Sequence, residues 1–338
     1  MIISKLIAQD YIYVNVHAEQ VITANYLESS RDGINVRELN LTTVQNLMTD
    51  LQKDISENLP KVLVLDFNLL AFIQPNIKSN FIELKKNYEL IFVNIEKKII
   101  EDIGFDSFTN TKNVLNGSIY SRFFVFDDNK AEVVGLKIDE ESLFEETFKE
   151  ILKKYKVQGN SERHTSSFVY ISSYIDIKKI ITYERNIILF AIYKLALKIS
   201  GEYLQTAEGN SVKLVCQSLN GAFITSILST YLNLDVVIFD KIGPINKLYS
   251  RLNKVIEEDG KYVVISDLVC LGTEVKIVKN LIQFLGGKYL GSISLIKVET
   301  LKTIKKEDMT TAIFSIKREN NKELGYNIYT NLEDFKNE

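Results

Sequence analysis

The sequence predicts an α/β protein of two domains, and three observations carry this. Short apolar runs of strand length, among them KVLVLDF (61–67), KLVCQS (213–218), DVVIFD (235–240), KYVVISD (261–267) and YLGSISLIKV (289–298), alternate with stretches whose apolar residues recur at helical spacing. That alternation builds a mostly parallel sheet with helices on both faces. At 338 residues the chain is long enough for two domains. A composition of 46% hydrophobic and 25% charged residues is that of ordinary globular protein, so each half can bury its own core.

With only three prolines and no low-complexity linker, the boundaries must come from pattern. Residues 1–115 read as a first α/β domain, 116–160 as a hairpin and connecting helix, 161–320 as a second domain and 321–338 as a C-terminal tail. The bulk numbers also exclude classes. A net charge of −3 argues against a dedicated nucleic-acid binder. Cys216 and Cys270 form no CxxC, and His17 and His164 stand alone, so no zinc-ligand spacing is present. The N-terminal MIISKLIAQDYIYV turns polar too soon for a signal peptide, and the longest strongly apolar segment, 187–193, is too short to span a bilayer. The expectation is a soluble cytoplasmic protein with two free thiols and no membrane association.

In the first half, Val44, Leu47, Met48, Leu51 and Ile55 fall on one helix face within 43–57. KVLVLDF reads as a buried strand, Gln74-Pro75-Asn76 as a turn, and Ile77, Phe81 and Leu84 as the apolar face of a helix. LIFVNI (90–95) is a second strand, and KKIIEDIG (97–104) a short helix closed by Gly104. Two β-rich runs in 118–138 flank Asp127-Asp128-Asn129-Lys130, read as a solvated hairpin turn rather than a metal site. An amphipathic helix comes next over 141–155, with Phe144, Phe148, Ile151, Leu152 and Tyr155 on one face.

The helix–strand–helix–strand–helix order over about 5–110 resembles the STAS domain, the sulfate-transporter and anti-sigma-antagonist family. In antagonist members a serine after the central strand is phosphorylated. The matching turn here, Ile73-Gln74-Pro75-Asn76, has no serine before Ser79, so the resemblance implies packing, dimerisation or a protein partner rather than a phospho-switch.

In the second half, 168–181 is strand-like, 185–199 is apolar nearly all round and reads as a buried helix, and Asn220-Gly221 opens another helix. Residues 241–254 form a basic loop containing glycine and proline. After the strand KYVVISD comes a turn, then a helix over 274–285 ended by Gly286-Gly287. Ligands in such sheets bind beyond the carboxyl ends of the strands.

Four stretches in this order resemble the type I phosphoribosyltransferases, most of all orotate phosphoribosyltransferase. SSYIDIKKI (172–180) is similar to the hood segment, VCQSLNGAF (215–223) to the pyrophosphate loop, 239–261 to the mobile catalytic loop, and YVVISDLVCLGTE (262–274) to the phosphoribosyl-pyrophosphate (PRPP) motif. The resemblance implies a dimeric protein that binds PRPP with Mg²⁺. Residue by residue, it implies that Asp267 meets ribose or metal. Cys270, Gly272, Thr273 and Glu274 line the 5′-phosphate turn. Ser218, Asn220 and Gly221 line the pyrophosphate loop, and Lys241 and Lys247 face the leaving pyrophosphate.

The departures fall on the same positions. The two adjacent acids of the family motif are Ser266 and Asp267 here, Cys270 and Leu271 replace turn hydroxyls, and Glu274 replaces the closing hydroxyl residue. A carboxylate about 4 Å from one phosphate charge costs roughly 1 kcal/mol even in water. Glu274 either points outward as a first-turn glutamate favoured by the helix dipole or fills the anion site itself. Cys270 is either small apolar filler or, at a helix N-terminus beside Cys216, a reactive thiolate. The leading expectation is a divergent, regulatory phosphoribosyltransferase-like protein, or pseudo-enzyme, that binds a phosphorylated ribose or nucleotide. The alternatives are an active Mg²⁺-dependent transferase making a nucleotide from a pyrimidine-like base, and a catalytically empty dimerising scaffold.

Overall fold

The computed structural model describes residues 3–16, 19–23, 34–54, 60–67, 72–74, 77–95, 97–105, 108–111, 122–125, 138–158, 170–171, 173–204, 212–239, 255–270, 272–298, 310–316, 323–324 and 327–328. The chain divides into two compact units, Met1–Glu146 and Thr147–Glu338.

The first unit runs β1 (Ile3–Ile7), β2 (Tyr11–Val16), β3 (Glu19–Thr23), β4 (Ile34–Leu39), α1 (Leu41–Asp54), β5 (Val62–Asp66), β6 (Phe72–Ile73), α2 (Lys78–Lys85), β7 (Glu89–Val93), α3 (Lys97–Asp102), β8 (Phe108–Thr111) and β9 (Arg122–Val125). The main sheet has the order β1-β2-β5-β7-β9-β8, with β2, β5 and β7 mutually parallel and β1, β9 and β8 added antiparallel. A small sheet, β3-β4-β6, stands beside it in sequence. Local chemistry sets the helix ends. Asn40 caps α1 by accepting from the Thr43 amide at 2.8 Å. Gly104 adopts φ +87° where α3 stops.

Strand alternation gives this sheet two different faces. On one, Ile12, Val14, Leu63, Leu65, Leu90 and Phe92 pack against Leu47, Leu51, Phe81 and Ile100 of the helices. Phe67, Phe81 and Phe92 meet edge to face there. On the other face lie Ser4, Tyr13, Asn15 and Asp66, all buried. Asp66 accepts from Tyr13 Oη at 2.8 Å and from Asn94 Nδ2. Desolvation nevertheless pushes its pKa up to about 6, and the nearby Glu140 charge adds to the rise.

The helix α4 (Glu140–Lys154) crosses the division between units. It buries Phe144, Phe148 and Leu152 from the expected face. The second half of the expected hairpin over 118–138, with its turn 127–130, lies outside the described residues. What is described, Arg122–Val125, pairs backward with β8 and with β7.

The second unit continues β10 (Lys156–Gln158), β11 (Tyr170–Ile171), β12 (Ser173–Ile175), α5 (Ile177–Tyr183), α6 (Arg185–Tyr203), β13 (Val212–Cys216), α7 (Leu219–Leu232), β14 (Val236–Ile238), β15 (Lys261–Val269), α8 (Thr273–Phe284), β16 (Lys288–Val298), β17 (Thr311–Ile316), β18 (Glu323–Leu324) and β19 (Asn327–Ile328). The expectation of a strand throughout 168–181 is corrected. Asp176 accepts from the Lys179 amide at 3.0 Å and nucleates α5, so a cap overrides the β-branched composition of IKKIITY. The helix α6 is buried along most of its length, as an all-round apolar sequence requires. Near the chain's end, β19 runs parallel to β11 through Tyr170↔Asn327 and Ile171↔Ile328.

The central sheet is fully parallel, in the order β14-β13-β15-β16-β17. Right-handed crossovers fix where the helices go. From β13, α7 leads outward to β14; from β15, α8 leads the opposite way to β16, so α7 and α8 cover opposite faces. The side chains agree. Val215, Tyr262 and Val264 pack with Val278 and Ile282 of α8. On the other face Gly221 of α7 lies so close that an added Cβ would sit 3.2 Å from Cys216 Cβ and 3.6 Å from the Ile265 carbonyl oxygen. The chain therefore reverses direction between β13 and β15, and a crevice forms at their carboxyl ends.

Candidate functional site

The segment leading from β13 into α7 forms one wall of the crevice, and the far end of β15 forms the other. Ser218 is extended and caps α7, its Oγ accepting from the Gly221 amide at 2.9 Å. Gly221 is required, because a Cβ there would stand 3.0 Å from that same oxygen. Asn220 then projects from the first turn of α7 and donates from Nδ2 to Asp267 Oδ2 at 2.7 Å, joining residues 47 apart in sequence.

Asp267 does not stand at a strand end, contrary to the expectation from sequence. β15 continues through Val269, in register with β16 as far as Val269↔Lys297. Leu268 and Val269 supply the extra strand residues by pairing with Ile296 and Lys297 of β16 alone, since the ladder with β13 stops at Val264. Within the strand, Asp267 shares its face with Ile265 and therefore with α7, whereas Ser266 shares the opposite face with Val264. Ser266 thus lies on the α8 side, and Asp267 faces Asn220.

The turn after β15 carries Gly272 at φ +69°, a left-handed conformation that glycine adopts without strain. Among the described residues beyond its chain neighbours, no heavy atom lies within 4 Å of where a Cβ would be. Gly272 provides no side-chain cap, and Thr273 and Glu274 in the first turn of α8 are at least partly exposed. The first amides of α8 are thus presented on an open side of the turn.

Of the two readings of the cysteines, burial favours small apolar filler over a reactive thiolate. Burial pushes the Cys270 thiol up to about 11, and burial also raises Cys216, with a smaller opposing contribution from Thr225. Desolvation outweighs the helix N-terminus, so neither sulfur is poised as a thiolate. Lys241 and Lys247 lie outside the described residues, as do Arg251, Lys254 and Leu271. Among the described residues no group of three or more His, Cys, Asp or Glu side chains is arranged to hold a metal ion. Asp267, the one expected metal ligand, has one oxygen already engaged by Asn220.

Two residues of this region escape a reading of the sequence alone. Gln217 Oε1 is buried without a hydrogen-bond partner at the end of β13. Leu219, 81% exposed, sits between Ser218 and Asn220. A polar residue directly after a buried strand is the available signal for the first; nothing local marks the second. A separate polar cleft of about 290 Å³ lies at the amino ends of β13 and β15, lined by Lys213, Asp235, Glu257 and Lys261 among others. Its Lys213 is held by Glu257 at 2.6 Å. It lies at the opposite end of the strands from the crevice, and its charges are mutually paired, so it is a solvated ion-pair cleft.

No family model matches the chain, and no curated protein matches it. Among solved structures, it is similar over its second half to phosphoribosyltransferases. Adenine phosphoribosyltransferase from Thermoanaerobacter pseudethanolicus shares 16% identity, covering 49% of this chain and 99% of that one, with a TM-score of 0.38. Orotate phosphoribosyltransferase from Aeropyrum pernix shares 17%, covering 44% and 81%, with a TM-score of 0.33. HGPRT-ase from Leishmania tarentolae, in complex with GMP, shares 18%, covering 38% and 76%, with a TM-score of 0.29. At these values the functional reading has to rest on the chain's own residues. Among the described residues no helix is long and apolar enough to cross a membrane.

Proposed function

We propose that the second unit binds a phosphorylated ribose or a nucleotide at the β13/β15 crevice and acts as a regulatory binder with weak or absent phosphoribosyl transfer. The observation that carries this is the 2.7 Å bond from Asn220 Nδ2 to Asp267 Oδ2. It commits one oxygen of the crevice's strand carboxylate to the protein. The other oxygen remains for a ribose hydroxyl. A catalytic site must hold carboxylates ready for charge that develops in the transition state. One acid, half engaged, suits ground-state binding better.

In this reading the open amides at Gly272 and Thr273 receive the 5′-phosphate, and Ser218 and Gly221 border the pyrophosphate position. Lys241 and Lys247 supply cations from the connecting loop. Mg²⁺, where PRPP is the ligand, would rest on Asp267 and on ligand oxygens, since Mg²⁺ commonly takes one or two carboxylates together with phosphates. The first unit fits a STAS-like interaction module, and a homodimer accords with the family resemblance.

The test is calorimetric titration of PRPP with and without Mg²⁺, together with a pyrophosphate-release assay over a panel of bases and an Asp267→Asn control. Binding without release is the expected result. Release above the control establishes the transferase instead. If PRPP, free phosphate and mononucleotides all fail to bind, the scaffold reading replaces both. Glu274→Thr separates the two roles of that residue: a gain in phosphate affinity means the carboxylate occupies the anion site, and no gain means it points outward.

A further inference from the structure

The helix α7 bears no charged side chain. No charged residue stands between Lys213 and Asp235, in a chain of which 25% is charged. The exposed residues of α7 form a single stripe. Leu219, Phe223, Ser226 and Thr230 are its exposed positions, and the exposed cap Asn233 follows. The stripe advances by four, three, four and three residues, the spacing of a seam along which two helices pack side by side. Leu219, at 81%, is the most exposed large apolar side chain among the described residues, and Phe223 is 39% exposed. Ile238 adds to this surface. It pairs in register with Cys216, shares the sheet face that α7 covers, and is 53% exposed on the edge strand β14.

A surface helix ordinarily carries charges on the face turned from the core. This one carries none, and its hydroxyls are bonded within the chain. Thr225 Oγ1 donates to the Gly221 carbonyl at 2.6 Å, Ser229 Oγ to the Leu234 carbonyl at 2.6 Å, and Thr230 Oγ1 to the Ser226 carbonyl at 3.2 Å. Covering the stripe therefore strands few polar groups. Size is graded along it. Leu219 and Phe223 occupy one half, Ser226 the middle, and Thr230 and Asn233 the other half. A second copy of α7, laid antiparallel about a two-fold axis at Ser226, sets Leu219 opposite Asn233 and Phe223 opposite Thr230. Each large side chain then meets a smaller one, as interdigitated packing requires. The stripe has no charge to repel its own copy and none to select a partner of opposite sign.

We infer that α7 is a self-association surface: it packs antiparallel against α7 of a second copy of this chain, with the two-fold axis at Ser226 and Ile238 at the margin. This gives the homodimer of the proposed reading a definite surface, and it requires neither ligand nor transfer activity. A helix of 14 residues is roughly 21 Å long. Its stripe covers less than the roughly 800 Å² that each partner gives to a standard interface, so the dimer is expected to dissociate in the micromolar range. Leu219 stands between Ser218 and Asn220, so pairing also holds that stretch of the crevice wall in place.

The test uses the full chain without ligand, so failure of the binding reading leaves it untouched. Sedimentation equilibrium from about 1 to about 100 μM should show a dimer forming as concentration rises. Ser226→Glu and Ser226→Lys each set like charges against one another at the axis and should weaken the dimer at least about 10-fold. An equimolar mixture of the two variants should restore it. Ser226 is exposed, so both variants should keep the parent's circular dichroism. Ser226→Cys should form an interchain disulfide on mild oxidation that the parent chain does not form. A monomer at every concentration overturns the inference and leaves the face to a different protein. A dimer indifferent to both charges, with no cross-link from Ser226→Cys, also overturns it, because the copies then meet elsewhere. Rescue by the mixed charges decides where the two measurements disagree.

Discussion

Asn220 and Asp267 lie 2.7 Å apart across the point where the second sheet reverses its winding, and the amide donates to the carboxylate. One comes from the first turn of α7 and the other from the interior of β15. The bond ties the two halves of the crevice together and competes with any ligand hydroxyl for the same oxygen.

Removing that competitor should strengthen ligand binding while weakening the fold. Hydrogen bonds to charged groups contribute about 1.5–3 kcal/mol. Asn220→Ala is therefore expected to tighten ribose-5-phosphate or PRPP binding by up to roughly 10-fold, and to lower the midpoint of denaturant unfolding. Calorimetry beside urea titration checks both; unchanged or weaker binding would show that the amide helps the ligand rather than competes with it.

The close approach of α7 to the sheet leaves no room at residue 221. A methyl group there meets Ser218 Oγ at 3.0 Å and Cys216 Cβ at 3.2 Å. Gly221→Ala should cost about 1–3 kcal/mol, as overpacking does. It should also displace the Ser218 cap, so that Ser218→Ala, worth about 1 kcal/mol alone, costs less in the double variant than in the parent. Additive losses in a double-mutant cycle would separate the two effects.

Asp66 gives the first unit a dependence on pH of a definite sign. Its folded pKa, about 6, stands above the ordinary 3.8. The protonated form is thus favoured by folding. The associated stability is fully present below pH 3.8 and is lost as the pH rises toward 6, by about 3 kcal/mol in total. Asp66→Asn should therefore gain on the parent chain by about 2 kcal/mol between pH 4 and pH 7. Parallel unfolding curves for the two chains at both pH values would rule out this role for the carboxylate.

Cys270 should be chemically quiet. With its thiol pushed up to about 11 by burial, well under ~0.1% is thiolate at pH 7.5. Iodoacetamide is expected to alkylate native Cys270 roughly 100-fold or more slowly than the same chain in urea. Comparable rates, read by mass spectrometry, would mean that the turn opens far more often than its burial implies.

The strand and helix alternation of both halves could be read from apolar periodicity, because β5, β7, β13, β15 and β16 are buried runs whose neighbours repeat at helical spacing. The extension of β15 past Asp267 could not. Leu268 and Val269 suit a turn or a strand equally, and pairing with β16 decides between them. The helix α5 was hidden by β-branched residues until the Asp176 cap is seen to bond. The residues of the crevice were named from order and resemblance, yet their key relationship was not. A hydrogen bond between Asn220 and Asp267 depends on which face of β15 the acid occupies and on how near Gly221 lets α7 come. The buried polar cluster of the first unit was wholly illegible. Ser4, Asn15, Asp66 and Asn94 are ordinary polar residues in sequence, and only strand register gathers them.

The pairing of Tyr170–Ile171 with Asn327–Ile328 sets an order of events during synthesis. When Ile316 has emerged, every strand of the five-stranded sheet is available, and with it the crevice. The β11–β19 pair has to wait until residues 327–328 have emerged. A nascent chain arrested between those points would carry the Asn220–Asp267 bridge on an incompletely closed unit, so a ligand present during translation could engage the sheet before that closure forms.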